Sequence, residues 1–365
     1  MSTDATSAKH VPVKRWLVLG LVALGVYAAF LGPSILKPIS PTVVLPPEPS
    51  GLYVGRFPLT NTMLATLLAD LVLLALALAA WNFYRRSQQP PRGLLNAFEA
   101  VVEFLWNTVE GNAGKWARRI FPVVATLFLL IFTANLLKLL PGFESIGRLE
   151  AVHQEGGKGY APVELFRLGH LTVYALDKAQ AYKIVNGQPV RVDSKGNPLE
   201  TPAAAASETA GEAQQPGEAL CTACEVIPFL RGSATDINFP FALAILTVLL
   251  TQVYGLWAQG PAYLEKFFQI KALVSGKPLG IVDFAIGLLE VFLELAKILS
   301  FGFRLFGNIF AGALLLSIIG VLTAVVVPAG LYLFEIFFGI IQAYVFFLLA
   351  TIFISSATQT HHHEN

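Results

Sequence analysis

The sequence predicts an all-α polytopic membrane protein of about six membrane helices, the last two long and strongly tilted, with one large polar extramembrane insert. Three observations lead there. Of 365 residues, 55% are hydrophobic and only 13% charged, which is too apolar for a soluble domain of this length. The apolar residues gather into runs of spanning length, separated by small clusters of Lys and Arg. One run, Ile281 to Val326, contains no proline between Pro278 and Pro328, so a single helix can fill it. At about 1.5 Å per residue it would be roughly 69 Å long. A hydrocarbon core of about 30 Å cannot hold it upright. It is therefore steeply tilted, or it breaks near Ser300-Phe-Gly302.

Taken in order, the chain divides at 1–57, 58–142, 143–232, 233–358 and 359–365. Lys14-Arg15 precede an apolar run from Trp16 to Leu31, which reads as an N-in signal anchor or a cleavable signal peptide. Its continuation through Ile35-Leu36, with no clean small-x-small site, favours the anchor. The Pro-rich segment from Pro38 to Pro58 is a linker. Leu59 to Trp81 is the second span, and Arg85-Arg86 place its end in the cytoplasm. From Gly93 to Trp116 the apolar residues recur at helical spacing while Glu99, Glu103 and Glu110 fall on another face, as in a helix lying at the interface. Ile120 to Leu140 then crosses outward and stops at Pro141-Gly142.

Residues 143–232 are polar. Asn186-Gly187 between two β-prone runs predicts one short hairpin, and the Ala/Glu/Gln/Pro-rich tract after it predicts disorder. Cys221 and Cys224 can pair as a disulfide in an oxidising compartment. Ile237 to Trp257 returns inward, Lys266, Lys271 and Lys277 mark a short cytoplasmic loop, and Ala329 to Ser356 forms the last helix. Six crossings put both termini inside; cleavage of the first segment changes nothing downstream.

In the long run, Glu290, Glu294, Lys297, Phe301, Arg304, Asn308 and Ala311 recur every three or four residues and form one polar-edged stripe on an apolar helix. A charge deep in lipid costs at least a few kcal/mol, so the stripe faces protein or water. Ser300, Gly307 and Ala311 near Arg304 leave room for another helix backbone. The structural alternative, a salt bridge from Arg304 to Glu290 or Glu294, must reach about 21 or 15 Å along the axis.

Leu299-Ser-Phe-Gly-Phe-Arg-Leu-Phe-Gly-Asn-Ile-Phe-Ala-Gly312 resembles the signature of subunit a of the F-type ATP synthase membrane sector. Glu290, Lys297 and Gln342-Ala-Tyr-Val-Phe extend the likeness, as do Asn135-Leu-Leu-Lys-Leu-Leu-Pro141 and Asp236-Ile-Asn238 upstream; it covers roughly residues 58–145 and 233–358. The resemblance implies a stator subunit that offers two half-channels and an essential arginine to a rotating c-ring, beside the b subunits of the peripheral stalk. It implies Arg304, Glu290, Glu335, Gln342 and Asn308 for proton translocation. Glu335, seven before Gln342, matches an ionisable half-channel position. The polar partner the family often carries nine residues after the arginine is Ala313 here.

Asp236, Asn238, Lys297 and Asp70 are further candidates. Asp236 and Asn238 either cap the returning span or touch the outer half-channel. Asp70 is an acid midway along the second span, a functional candidate by default, and is read first as a structural contact, with a neighbouring subunit as one partner for it. His361, His362 and His363 form a terminal tract that reads as a solvated tail; no metal or cofactor is expected. The formal net charge of +1, with no basic run, excludes a nucleic-acid partner. No phosphate loop is present, so the chain makes no ATP itself, and it is not an enzyme in its own right. A secondary transporter with an intramembrane Arg/Glu site is the alternative, but it predicts repeated halves and paired interrupted helices. An intramembrane hydrolase needs a histidine or metal-ligand pair at depth, and no predicted span holds a histidine. The expected location is the cell (inner) membrane, multi-pass, with a cytoplasmic C-terminus. Whether the ion is H⁺ or Na⁺ is set largely by the ring and is not legible here.

Overall fold

The computed structural model describes residues 47–86, 92–140, 142–152, 159–168, 171–180, 182–185, 188–192, 221, 223–267, 280–322 and 326–359, with Gly20, Ala23 and Tyr27 of the first apolar run. The rest of the predicted anchor, the tract expected to be disordered, Lys271, Lys277 and the histidine tail lie outside the described residues. The chain forms two compact units. One comprises 43–148, 226–313 and 335–365; the other comprises 149–225 with 1–42 and 314–334.

The first unit is helical. It opens with a hairpin, β1 (Pro49–Val54) and β2 (Phe57–Thr60), inside the segment read as a bare linker. Then come α1 (Asn61–Arg86), α2 (Leu94–Ala113), α3 (Ala117–Lys138) and α4 (Asn238–Gln259). Two long helices, α5 (Gly280–Leu322) and α6 (Val326–Thr358), complete the chain. Four helical stretches among the described residues are long and apolar enough to cross a membrane: Asn61–Arg86, Leu94–Lys138, Asn238–Leu264 and Val327–Thr358. The 43 residues of α5 run unbroken through Ser300 and Gly302, so of the two alternatives the break does not occur. Pro328 falls in the first turn of α6, where its missing N–H is harmless.

Packing follows from small residues placed at regular intervals. On α6, Ala343, Ala350 and Ala357 recur every seven residues and are buried, with Phe346, Phe347 and Ile354 beside them. These meet Leu105 and Val109 of α2, Ile120, Val124 and Ile131 of α3, and Leu305 of α5 in one core. Lipid is as apolar as this core, so close packing rather than water exclusion holds the helices together. At two glycines of these helices an added Cβ would displace a neighbouring ring. A Cβ on Gly302 would lie 2.9 Å from the Phe241 ring of α4, and one on Gly255 of α4 2.5 Å from the Tyr263 ring.

The Asn135 side chain donates to the Gly339 carbonyl and Phe128 packs edge-on against Phe347 at 6.0 Å, so α6 runs opposite to α3. Phe104 meets Tyr344 at 5.5 Å and Ser355 donates to the Asn112 carbonyl, so α6 runs in the same direction as α2. At one end of the bundle Arg119 stacks over Trp116 and Trp257, at 4.9 and 4.6 Å, and Tyr254 donates to its carbonyl. Aromatic residues with a guanidinium are what a membrane interface favours. At the other end Thr62 and Thr66 of α1 meet Asp236 and Ser233 just before α4.

The strands make the chain less purely α-helical than its sequence reads. A four-stranded sheet has the order β3-β8-β4-β5, with β3 (Gly147–Ala151), β4 (Gly159–Leu168), β5 (Leu171–Gln180) and β8 (Cys224–Pro228). Most of it belongs to the second unit. The predicted hairpin around Asn186-Gly187 is present as β6 (Tyr182–Val185) and β7 (Gln188–Arg191), paired from Tyr182↔Arg191 to Val185↔Gln188. The longer β4–β5 hairpin was not legible, because Pro162 and two register shifts interrupt its alternation. Cys221 and Cys224 form a disulfide with Cα atoms 5.6 Å apart, ordinary spacing for such a bond.

Candidate functional site

The site is built along α5. Gly287, Glu294, Phe301, Leu305 and Ile309 turn inward, and Phe301 meets Phe346 and Phe353 at 4.8 and 5.6 Å. Ser300, Arg304 and Ala311 face outward. The single stripe read from the sequence thus divides. Steps of three and four residues leave an arc roughly 100° wide at 3.6 residues per turn, and the helix buries one edge of it. Arg304 is exposed; Nη2 lies 3.5 Å from Ser300 Oγ, and no carboxylate among the described residues pairs with it. Nothing comes near a Cβ placed on Gly307, one turn on. The outcome is a fixed charge beside open, small-residue helix surface.

Toward the Lys138 end of the bundle lies the first polar cluster. Asn308 donates to Gln342 Oε1 at 3.0 Å, and both line a cavity of ≈ 20 Å³ with Asn135, Lys138, Glu335 and Gly339. That is room for about one water. Lys138 and Glu335 form an ion pair across α3 and α6, their side chains 6% and 14% exposed. Glu335 therefore has a partner, but from another helix rather than from position 313. Lys138 was quoted in the sequence motif without a role. A lysine inside an apolar span is itself the signal that could have singled it out.

Toward the Arg119 end lies the second cluster. Glu294 is buried and pairs with Lys297 at 2.7 Å, while the Lys297 ammonium sits 4.9 Å from the Phe353 ring. Tyr263 donates to Gln252 Oε1 at 2.8 Å and lies within electrostatic reach of Glu294 and Glu290. The sequence pointed to Glu290 and Lys297 here, but not to Tyr263 or Gln252. Gln252 lies within α4 and Tyr263 in the turn after it, and only folding brings them to α5.

Other candidates fall elsewhere. Asp236 is buried; Oδ1 accepts the Asn238 N–H at 2.9 Å and Oδ2 the Thr62 hydroxyl at 3.1 Å, which is capping plus a tie to α1. Asn238 itself is exposed. Asp70 is exposed on this chain, and none of the described residues covers it. Only Asn61, Thr62, Ala65 and Ala69 of α1 are buried, and Asp70 lies one residue, about 100°, off that line.

Fold and site together define a polytopic membrane protein that carries an arginine, unpaired by its own described carboxylates, between two polar clusters at opposite levels. Comparison with known families narrows this. The family model described as ATP synthase A chain matches residues 63–186 and 203–355, reaching well into the polar insert. The chain is 23% identical over 310 residues to ATP synthase subunit a of Moorella thermoacetica, covering 85% of this chain and 95% of that one. It is 25% identical over 318 residues to subunit a of Mycobacterium tuberculosis, covering 84% and 90%. A shorter match, 32% over 133 residues, joins it to ATP synthase subunit a 2 of a Bradyrhizobium strain, covering 36% and 54%. The chain belongs to the ATP synthase A chain family, the non-catalytic ion-translocating subunit a of the F-type membrane sector.

Proposed function

We propose that the two polar clusters are the mouths of two aqueous half-channels and that Arg304 separates them against a rotating c-ring in the cell membrane. Protons enter one mouth, load a carboxylate on the ring, travel with it, and leave by the other. The observation that carries this reading is the exposed Arg304 with no carboxylate among the described residues beside it. A guanidinium stays charged at any accessible pH and cannot relay protons. It can favour the ionised form of a carboxylate brought close to it, so that a ring site arriving protonated must release its proton. Along α5, Gly312 beside Glu335 lies about 12 Å from Arg304 on one side, and Glu294 about 15 Å on the other. Neither cluster neutralises it.

Glu335 with Asn308, Gln342 and Asn135 lines the outer mouth, while Glu290, Glu294, Lys297 and Tyr263 line the inner one. The sidedness rests on Arg85, Arg86, Arg118 and Arg119, whose end of the bundle is cytoplasmic by the positive-inside rule. The C-terminus follows them, since the Gln259 side chain donates to the carbonyls of Ala357 and Gln359. An unbroken α5 of roughly 65 Å lies inclined along the ring surface. α1, barely covered by its own chain, and its exposed Asp70 face the peripheral-stalk b subunits or lipid. Residues 143–232 lie outside the membrane, opposite the cytoplasm. The transporter alternative has no support from repeated halves.

The deciding experiment is Arg304→Ala in reconstituted enzyme. Coupled proton pumping and gradient-driven synthesis should vanish while the variant still co-isolates with the ring. Normal pumping by the assembled variant overturns the reading.

A further inference from the structure

Lys138 is the one charged residue of the outer cluster whose role the family match does not supply. Its stem is buried, and its ammonium meets the Glu335 carboxylate beside a cavity that otherwise presents neutral amides: Asn135, Asn308 and Gln342. A carboxylate and side-chain amides around a water-sized space offer oxygen ligands of the kind a hard cation takes. Gln342 Oε1 is taken by Asn308, and its buried Nε2 has no protein partner among the described residues, which leaves a donor for water in the cavity. Gly312 adds to the space, for a Cβ there would stand 3.4 Å from Glu335 Oε1. The seat beside Glu335 is already filled, and by a cation that cannot leave.

We propose that Lys138 determines ion specificity at this mouth: its tethered ammonium occupies the cation seat at Glu335 and keeps Na⁺ and other alkali ions out, while water in the cavity still passes protons. The physical basis is charge. A second positive ion at Glu335 would stand within a few ångströms of the ammonium in a poorly screened site. A proton need not stay there, because it can hop through hydrogen-bonded water and exchange with the carboxylate while the ammonium shifts. Removing Lys138 leaves a buried carboxylate uncompensated, which then recruits any small cation available. The inference rests on the reading of Glu335 as part of a half-channel.

The experiment uses the whole enzyme in proteoliposomes, with ATP-driven proton pumping followed as NaCl replaces choline chloride at constant ionic strength. The wild type should be insensitive to Na⁺. Lys138→Gln should become Na⁺-inhibited, its half-inhibiting concentration lower than that of the wild type by on the order of tenfold or more. Lys138→Arg, which keeps the charge, should stay insensitive, and Lys138→Gln combined with Glu335→Gln should lose the acquired sensitivity. Lys138→Met, which keeps the stem, replaces Lys138→Gln if the amide disturbs co-isolation with the ring. A neutral variant as insensitive as the wild type, or Lys138→Arg as sensitive as Lys138→Gln, overturns the proposal. Glu335→Gln alone tests the underlying reading: undiminished proton flow there rejects the half-channel assignment whatever Na⁺ does.

Discussion

At the scale of single residues, side-chain shape and charge separate the candidates. Arg304→Lys should fail as Arg304→Ala does, because an ammonium is a shorter point charge that can lose its proton, whereas the guanidinium is a permanently charged planar fork. ATP-dependent quenching of a pH dye in reconstituted vesicles checks it, with residual pumping expected below about a tenth of wild type. Glu335→Gln should slow proton flow more than Glu294→Gln. Glu335 opens onto the small cavity, while Glu294 is turned into the helix seam with Lys297 three residues away. Equal rates for the two variants reject that ordering. Arg304 and Asn308 could be read from sequence because a polar group in an apolar helix stands out against its background, while Glu335 and Gln342 came from the resemblance to the family. Tyr263 and Gln252 were not singled out, since their meeting depends on how the chain folds back after α4.

At the scale of elements, α5 and α6 depend on close contacts between rings and missing side chains. Gly255→Ala places a methyl 2.5 Å from the Tyr263 ring, so that ring must move and its bond to Gln252 must stretch. Overpacking of this kind costs about 1–3 kcal/mol. It should appear as a lowered unfolding midpoint of the detergent-solubilised complex; an unchanged midpoint and unchanged flow would show that the turn after α4 is free to adjust. Phe301→Ala removes a ring packed on Phe346 and Phe353. Its cost should fall below the ~3–5 kcal/mol of soluble cores, because lipid is as apolar as the site it leaves.

At the scale of the whole molecule, the testable property is sidedness. With Cys221 and Cys224 replaced by serine, a cysteine at Ser207 should react with an impermeant maleimide added to intact cells. Labelling only after the membrane is opened from the cytoplasmic side would invert the topology and exchange the two mouths. The disulfide itself closes a ring of only four residues, worth at most about 2 kcal/mol by loop entropy. Reducing it should leave proton flow intact while loosening β8. Deleting 193–220 should likewise preserve flow, measured as passive proton conduction through the isolated membrane sector.

By itself the sequence determined that this is a membrane protein, where its described helices lie, that α5 outruns the bilayer, and that Arg304 is a charge set on an apolar helix. Each of those rests on local facts: apolar run length, proline positions, and charges that lipid penalises. Only the tertiary structure decided that α5 passes Gly302 unbroken, that Asp70 faces outward, and that Lys138 rather than a residue of α5 is the partner of Glu335. Lys138 and Glu335 are 197 positions apart in the chain. Pairings across such distances depend on which helix faces close-pack, and no local pattern encodes that choice.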